Sequence, residues 1–260
     1  MADSDPTPTI KRRNHGRNHS YEVNGEKWPG RGVTTLLNEG YPKPAIPKWA
    51  ARACSQEVLD YWDELVEMLP SERAERIRTA PDRDRDAAAR RGTEVHRYAS
   101  KLIAHEDVAV PDELVGHVDA YIKFLDEWEV RPLLVEAPLV NMRYRYCGTL
   151  DTVSDLVDRK RWLLDLKTTR SGVFLESALQ LSGYRNAEWV LDSDGRVQAM
   201  PEVDRCGVVW LKADRTYEFV PVDAGPATFE VFLCVLRIAG FAQSDEALGV
   251  PLQPFREVLF

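Results

Sequence analysis

An apolar segment past the middle of the chain ends in an acid and a base two positions apart: Trp162-Leu163-Leu164-Asp165-Leu166-Lys167-Thr168-Thr169. Its short length and aliphatic residues predict a β-strand. Alternation along a strand places Asp165 and Lys167 on the same face. Burying either charge is costly unless something pairs with it. The pair must therefore form a salt bridge, lie at the solvent edge, or serve a metal ion and a substrate.

A second acid precedes this segment by one turn. Asp151 lies in Gly148-Thr149-Leu150-Asp151-Thr152-Val153, another apolar stretch. If the two strands are antiparallel neighbours, the two carboxylates come together and repel, and a divalent cation such as Mg²⁺ is the usual remedy. Alone, Asp151 could equally be an acid in a turn or at the rim of the sheet. Glu136 is a third acid in an apolar strand, and it could join the cluster or point outward.

The whole chain predicts an α/β fold, with a mixed central β-sheet flanked by helices and an N-terminal helical region. Residues 44–130 have apolar side chains at helical spacing. Residues 131–222 are rich in β-branched and aliphatic side chains between polar turns, which predicts consecutive strands crossed by one helix over residues 175–191. Residues 225–244 predict a closing helix. Because composition does not change sharply, residues 21–260 are predicted to form one domain.

The first 20 residues are polar, with no acid between Asp5 and Glu22. Their basic side chains are Lys11, Arg12, Arg13 and Arg17. This composition predicts a flexible basic arm, either a solvated tail or an arm that touches phosphates. After it, Tyr21-Glu22-Val23 predicts a strand that runs into a tight turn at Asn24-Gly25, since Asn and Gly tolerate positive φ.

Composition excludes several classes of protein. A net charge of −8 over 260 residues excludes nucleic-acid binding by bulk charge, so such a partner needs a local patch or metal ions. The four cysteines form no CxxC pair, which argues against a zinc ribbon or a disulfide framework. The apolar stretch 229–242 is interrupted by Glu230 and Arg237, so no transmembrane helix is expected. Without an apolar leader segment, the expected compartment is the cytoplasm.

Three further polar residues are candidates for a site. His96 lies on a predicted helix, where a lone histidine is more often a partly buried structural residue than a ligand. Gln180 and Tyr184 are one helical turn apart, so an amide and a phenol share a face directly after the Asp-Lys strand. An amphipathic helix with a tyrosine at the edge of the core has the same pattern.

Four short patterns occur in one order along the chain: GxxxH at Gly92–His96, GTLD ending at Asp151, DLK at Asp165–Lys167, and QxxxY at Gln180–Tyr184. Together they resemble the RecB-like branch of the PD-(D/E)xK nucleases. The chain is also similar to phage-encoded exonucleases related to the CRISPR-associated RecB-like nucleases. That similarity is carried by Gly32-Val33-Thr34-Thr35-Leu36, Pro42-Lys43-Pro44-Ala45 with Trp49-Ala50, and Val203-Asp204-Arg205-Cys206-Gly207.

The resemblance implies a restriction-endonuclease-like core and a metal-dependent DNA exonuclease. It implies that Mg²⁺ or Mn²⁺ is held by His96, Asp151, Asp165 and the backbone carbonyl of Leu166. Glu136 is an additional candidate ligand. No iron–sulfur cluster is expected, because the cysteines lack the close C-terminal group of three that the CRISPR-associated relatives commonly have.

The same resemblance assigns the catalytic roles. Lys167 would orient the attacking water and offset developing negative charge. Gln180 and Tyr184 would position the scissile phosphate. The implied catalytic set is Asp151, Asp165, Lys167, Gln180 and Tyr184.

The implied partner is DNA, at single- or double-stranded ends. The chain has no GxxxxGK[ST] phosphate loop, so it would act alone or with a helicase or single-strand annealing protein. A homo-oligomer is left open, and no membrane partner is expected. The family implies DNA end processing in recombination or replication, in the host cytoplasm for a phage protein. The alternatives are an endonuclease on the same fold and a non-catalytic DNA-binding or assembly module.

Overall fold

The computed structural model describes residues 7–15, 18–104 and 106–244. The helices of these residues are α1 (Val33–Gly40), α2 (Ala45–Asp60), α3 (Trp62–Glu67), α4 (Pro70–Arg78), α5 (Ala80–Ile103), α6 (Asp112–Glu127), α7 (Glu176–Arg185) and α8 (Pro226–Phe241). The strands are β1 (Ile10–His15), β2 (Asn18–Val23), β3 (Glu26–Lys27), β4 (Arg31–Gly32), β5 (Arg131–Asn141), β6 (Tyr146–Asp155), β7 (Arg161–Lys167), β8 (Trp189–Leu191), β9 (Val197–Ala199), β10 (Arg205–Leu211) and β11 (Tyr217–Val222).

The fold is mixed α/β, as predicted, and its main sheet contains both parallel and antiparallel strands. The strand order is β11-β10-β7-β6-β5-β8-β9, and β4 pairs with β6 outside this path. The strands β5, β6 and β7 form an antiparallel meander, whereas β10 runs parallel to β7 after the chain has crossed over through α7. The consecutive strands that the sequence predicts after residue 131 are therefore confirmed.

Helices cover both faces of this sheet. On one face, α1, α7 and α8 pack on a core that includes Leu150, Leu163 and Phe232. On the other face, α5 and α6 pack on a core that includes Leu164 and Leu166. Neighbouring residues of β7 thus enter opposite cores, as alternation along a strand requires. No helix in the described part of the chain has an apolar run long enough to cross a membrane.

The N-terminal segment differs from the predicted flexible arm. In its described part, β1 and β2 form an antiparallel hairpin, and β2 and β3 join through Asn24 (φ +54°) and Gly25 (φ +82°), so the predicted turn is confirmed. Ile10 and Val23 pair across the hairpin and are buried against Val140. The prediction of a flexible arm was wrong here because alternate residues of these strands bury apolar side chains against the main sheet.

The predicted helix over residues 175–191 is also shorter than expected. Helix α7 ends at Arg185, and β8 then pairs Val190 with Leu139 of β5. The exposed edge of β5 offers backbone hydrogen bonds to this segment, and that pairing outweighs its local helical periodicity. The closing helix α8 spans Pro226–Phe241, slightly less than the predicted 225–244.

Candidate metal centre

The antiparallel pairing of β6 with β7 stops at the point where the two acids of the GTLD and DLK patterns occur. Paired residues run from Asp155 with Arg161 to Thr152 with Leu164, and the next residues along the two strands are Asp151 and Asp165. Beyond the last pair, the backbone N–H of Leu166 donates to Asp151 Oδ2 at 2.7 Å. A side chain thus takes the place of the strand-to-strand bond, and it fixes the Asp151 carboxylate between the two strands.

The third acid lies on the other side of Asp151. Glu136 is the residue of β5 between the pairs Val135–Thr152 and Ala137–Leu150, so it lies opposite Asp151. Its φ is +48°, an uncommon conformation for a residue with a side chain. Leu134 and Ala137 belong to the same core although they are three positions apart. Strand β5 therefore changes face at Glu136.

Strand β6 changes face at the matching position. Leu150 and Val153 both belong to the core beneath α7, although strict alternation would place them on opposite faces. Because both strands switch together, their pairing register is kept on each side of the irregularity. Glu136 and Asp151 are thereby released from the two packed cores and stay partly exposed.

His96 on α5 closes the group. Its Nδ1 lies 3.3 Å from Asp151 Oδ1 and 3.7 Å from Glu136 Oε1. Its Nε2 lies 3.1 Å from the carbonyl oxygen of Leu166, to which it can only donate. Ligand atoms of His96, Glu136 and Asp151 lie within 4.8 Å of one another. In the described part of the chain, this is the one group of three or more such side chains with the spacing of a metal site.

The charges of this group depend on one another. Burial lowers the pKa of His96, but the carboxylates of Asp151 and Glu136 outweigh it and hold that pKa well above its usual value. Burial likewise raises the pKa of Asp151, and His96 and Lys167 outweigh it, so the pKa of Asp151 lies below its ordinary value. In the absence of a metal ion, protonated His96 supplies the positive charge that the two carboxylates require.

A second cluster lies beside the first and joins β7 to α7. Lys167 Nζ lies 2.9 Å from Asp165 Oδ2 and donates to Asp165 Oδ1 at 3.0 Å and to Gln180 Oε1 at 3.3 Å. Gln180 Nε2 donates to Asp165 Oδ1 at 2.8 Å and to the hydroxyl of Tyr184 at 3.3 Å. The Asp-Lys pair and the Gln-Tyr pair, predicted separately from the sequence, therefore form one hydrogen-bonded group.

Asp165 is the most deeply buried member of that cluster, with 2% of its side chain exposed. Burial raises its pKa, the nearby Asp151 raises it further, and Lys167 only partly offsets both, so the pKa stays above its usual value. Burial lowers the pKa of Lys167, but Asp165 and Asp151 raise it more, so the ammonium is retained. Asp165 Oδ2 is buried and, among the residues that the structure describes, accepts no hydrogen bond of good geometry despite its closeness to Lys167.

The donor set fits a divalent cation. Carboxylate oxygens, an imidazole nitrogen and a backbone carbonyl suit Mg²⁺ or Mn²⁺, and a cation would replace the proton on His96. His96, Asp151 and the Leu166 carbonyl are brought together, and Glu136 joins them. Asp165, predicted as a main ligand, is turned toward Lys167 and Gln180 and is absent from the closest group of three.

Close packing explains why the first residue of the GTLD pattern is a glycine. A Cβ on Gly148 would lie 2.6 Å from the Tyr184 ring, so only glycine lets β6 approach α7 this closely. Gly92 of the GxxxH pattern has no such restriction, because its Cβ would lie 3.6 Å from Thr168 Oγ1, an ordinary contact.

The sequence did not single out Tyr21 and Thr149 as neighbours of the site. The hydroxyl of Tyr21 on β2 lies 2.8 Å from Thr149 Oγ1, two positions before Asp151. The apolar residues Ile10, Tyr21 and Val23 are the signal that could have identified this hairpin as part of the fold rather than an arm.

Comparisons with known proteins leave the family open. No protein-family model matches the chain, and no curated protein matches it. A solved structure of a protein called SSO0001 is similar to this chain, with 15% sequence identity and a TM-score of 0.30. The match covers 60% of this chain and 72% of the SSO0001 chain. A TM-score this low does not establish a shared fold.

Proposed function

We propose that this chain is a Mg²⁺- or Mn²⁺-dependent DNA exonuclease with a PD-(D/E)xK core, acting at DNA ends. The observation that carries the proposal is the convergence of a carboxylate–histidine group and a buried Asp-Lys pair at the point where β6 and β7 separate. The sequence patterns GxxxH, GTLD, DLK and QxxxY supply the site's side chains from four different elements, which are α5, β6, β7 and α7.

In this proposal His96, Asp151 and the Leu166 carbonyl hold the metal, with Glu136 as a further ligand. Asp165 adds its buried Oδ2, which has no well-aligned hydrogen-bond donor in the described part of the chain. When bound, the cation supplies Lewis-acid stabilisation of a phosphodiester and activation of water. The cation also reverses the sign of the local charge at the site, in a chain whose net charge is −8. A polyanionic substrate requires this reversal in order to bind there.

Lys167 acts beside the metal ligands. Its ammonium is fixed between Asp165 and Gln180, and the raised pKa keeps it charged at neutral pH. A fixed ammonium can orient a water molecule and offset negative charge that develops on a phosphate. Lys167 therefore serves as an electrostatic catalyst and not as a general base.

Gln180 and Tyr184 position the scissile phosphate. Burial raises the pKa of the Tyr184 hydroxyl, so this group keeps its proton and remains a hydrogen-bond donor. Gln180 bonds to Asp165, Lys167 and Tyr184, and it thereby fixes the positions of these side chains relative to one another. By resemblance, we place the reaction in phage DNA end processing during recombination or replication, in the host cytoplasm.

The test is degradation of end-labelled linear DNA beside a closed circle, with Mg²⁺, Mn²⁺ or chelator. We expect loss of the linear DNA alone, dependent on metal and abolished in Asp165→Ala and Lys167→Ala. Cutting of the circle as well would identify the alternative endonuclease. Binding of DNA with no cutting of either substrate would contradict the proposal and favour the non-catalytic module.

A further inference from the structure

The hairpin of β1 and β2 combines positive charge with closeness to the candidate metal centre. Strand β1 carries Lys11, Arg12 and Arg13 in a chain whose net charge is −8. Its partner β2 places the Tyr21 hydroxyl 2.8 Å from Thr149, two positions before Asp151. The hairpin is therefore a local basic surface at the edge of an acidic site.

Arg12 lies on the side of the hairpin that faces the main sheet. It pairs across the hairpin with Tyr21, and the preceding inward pair, Ile10 with Val23, is buried. Burial raises the pKa of Tyr21 to about 12, Arg12 lowers that pKa, and Glu136 raises it. Tyr21 is thus within electrostatic range of both Arg12 and the acid of the metal centre.

Arg12 and Arg13 have different partners although they are adjacent. Arg13 donates from Nε and Nη2 to the two carboxylate oxygens of Glu22, each at 2.9 Å. Arg12 Nε is buried and has no hydrogen-bond partner among the described residues. A buried N–H of a charged group without an acceptor is costly, and the residue that carries it is only half-buried, so the guanidinium is available to an external anion.

We propose that Arg12 contacts a backbone phosphate of the DNA strand whose end enters the metal centre, with the β1–β2 hairpin holding that strand in place. This inference rests on the proposed nuclease function. A guanidinium suits a phosphate because its planar donors can bind two oxygens at once. Arg12 is a positioning residue here, since the chemistry belongs to the side chains around Asp151 and Lys167.

The test is steady-state cleavage of an end-labelled linear DNA with Mg²⁺ at several salt concentrations. For Arg12→Gln we expect KM to rise about tenfold, as for loss of one charged hydrogen bond, with kcat within about twofold. The slope of log(kcat/KM) against log[salt] should become shallower by about one, as for loss of one phosphate contact. Arg12→Lys, which keeps the charge, should recover most of the KM.

Arg13→Gln is the matched control, because it removes the same charge from the same strand but from a side chain already paired with Glu22. It should leave KM and the salt slope near those of the unmodified chain. Thermal melting checks folding, and Arg12→Met, which keeps the apolar stem, replaces Arg12→Gln if that variant does not fold.

The outcomes separate this inference from the proposed function. If the unmodified chain cleaves DNA but Arg12→Gln behaves like it, or like Arg13→Gln, the role of Arg12 is wrong and the nuclease function stands. A fall in kcat with KM unchanged would also overturn the positioning role. If the unmodified chain cleaves no DNA with either Mg²⁺ or Mn²⁺, both proposals are wrong.

Discussion

The two ends of the β6–β7 strand pair each hold an acid and a base, in opposite surroundings. At one end Asp155 and Arg161 are paired in register, and Arg161 Nε lies 2.9 Å from Asp155 Oδ1. Their side chains are 47% and 34% exposed, respectively. At the other end the regular pairing has stopped, and Asp165 forms its ion pair with Lys167 while only 2% exposed. Exposed pairs contribute little to stability, whereas buried charges lose hydration that their attraction rarely restores.

This difference separates structural charge from functional charge. Asp155 and Arg161 extend a strand pair into solvent at little cost. Asp165 and Lys167 pair in a place where burial disfavours the charged form of each, and His96 and Gln180 converge on the same place. A cluster of charges that does not maximise stability is typical of a functional site, which is consistent with the proposed function.

Removal of the basic side chain from each end should give the largest difference between the two ends, measured as the rate of DNA cleavage. Lys167→Ala is expected to lower the rate of metal-dependent DNA cleavage by about a hundredfold or more, as for loss of a preorganised electrostatic donor. Arg161→Ala, on the same strand, should leave the rate within about twofold, because its partner is exposed and distant from the site. Single-turnover cleavage of labelled linear DNA measures both, and equal losses would show that the two ends do not differ.

The inner end of the strand pair is the end where Asp165 and Lys167 lie. Loss of close packing there should lower the stability of the fold. Gly148→Ala should lower the free energy of unfolding by about 1–3 kcal/mol, because the added Cβ would lie 2.6 Å from the Tyr184 ring. Gly92→Ala should be neutral or stabilising by up to about 1 kcal/mol, since it gains helix propensity with only an ordinary contact. Urea unfolding of both variants checks this, and a stable Gly148→Ala would disprove the close approach.

The inner end should also give a pH dependence in metal-free protein. The folded pKa of His96 is raised above the ordinary value of 6.5, so its protonation stabilises the fold fully below that value. That stabilisation is lost as the pH rises through the higher, folded pKa. His96→Gln should therefore cost more stability at acid pH than at alkaline pH in denaturation with chelator. An equal cost at every pH would contradict the charged state of His96.

The exposed pair of Asp155 and Arg161, at the outer end, should contribute least to stability. A double-mutant cycle on Asp155→Asn and Arg161→Gln should give a coupling free energy of about 0–1 kcal/mol that weakens with added salt. Urea unfolding at low and high salt measures it. A coupling free energy well above this range would mean that the exposed pair also contributes substantially to stability.

Much of this arrangement could be predicted from the sequence, because it follows from alternation and turn chemistry. The antiparallel neighbours β6 and β7 bring Asp151 and Asp165 to adjacent positions, as their spacing predicted. The joint change of face at Glu136 and Asp151 could not be predicted, since it depends on two strands that deviate together. The hairpin of β1 and β2 was missed because its basic composition outweighed its few apolar residues, which are Ile10, Tyr21 and Val23.

The most direct test of the account is a calorimetric titration of Mn²⁺ into the metal-free chain, with Asp151→Asn and Asp155→Asn as a matched pair. Each variant removes one carboxylate charge from β6, one at each end of its pairing with β7. We expect binding by the unmodified chain, at least about tenfold weaker binding by Asp151→Asn, and unchanged binding by Asp155→Asn. No Mn²⁺ binding, or equal loss in both variants, would contradict the assignment of a metal centre to the inner end.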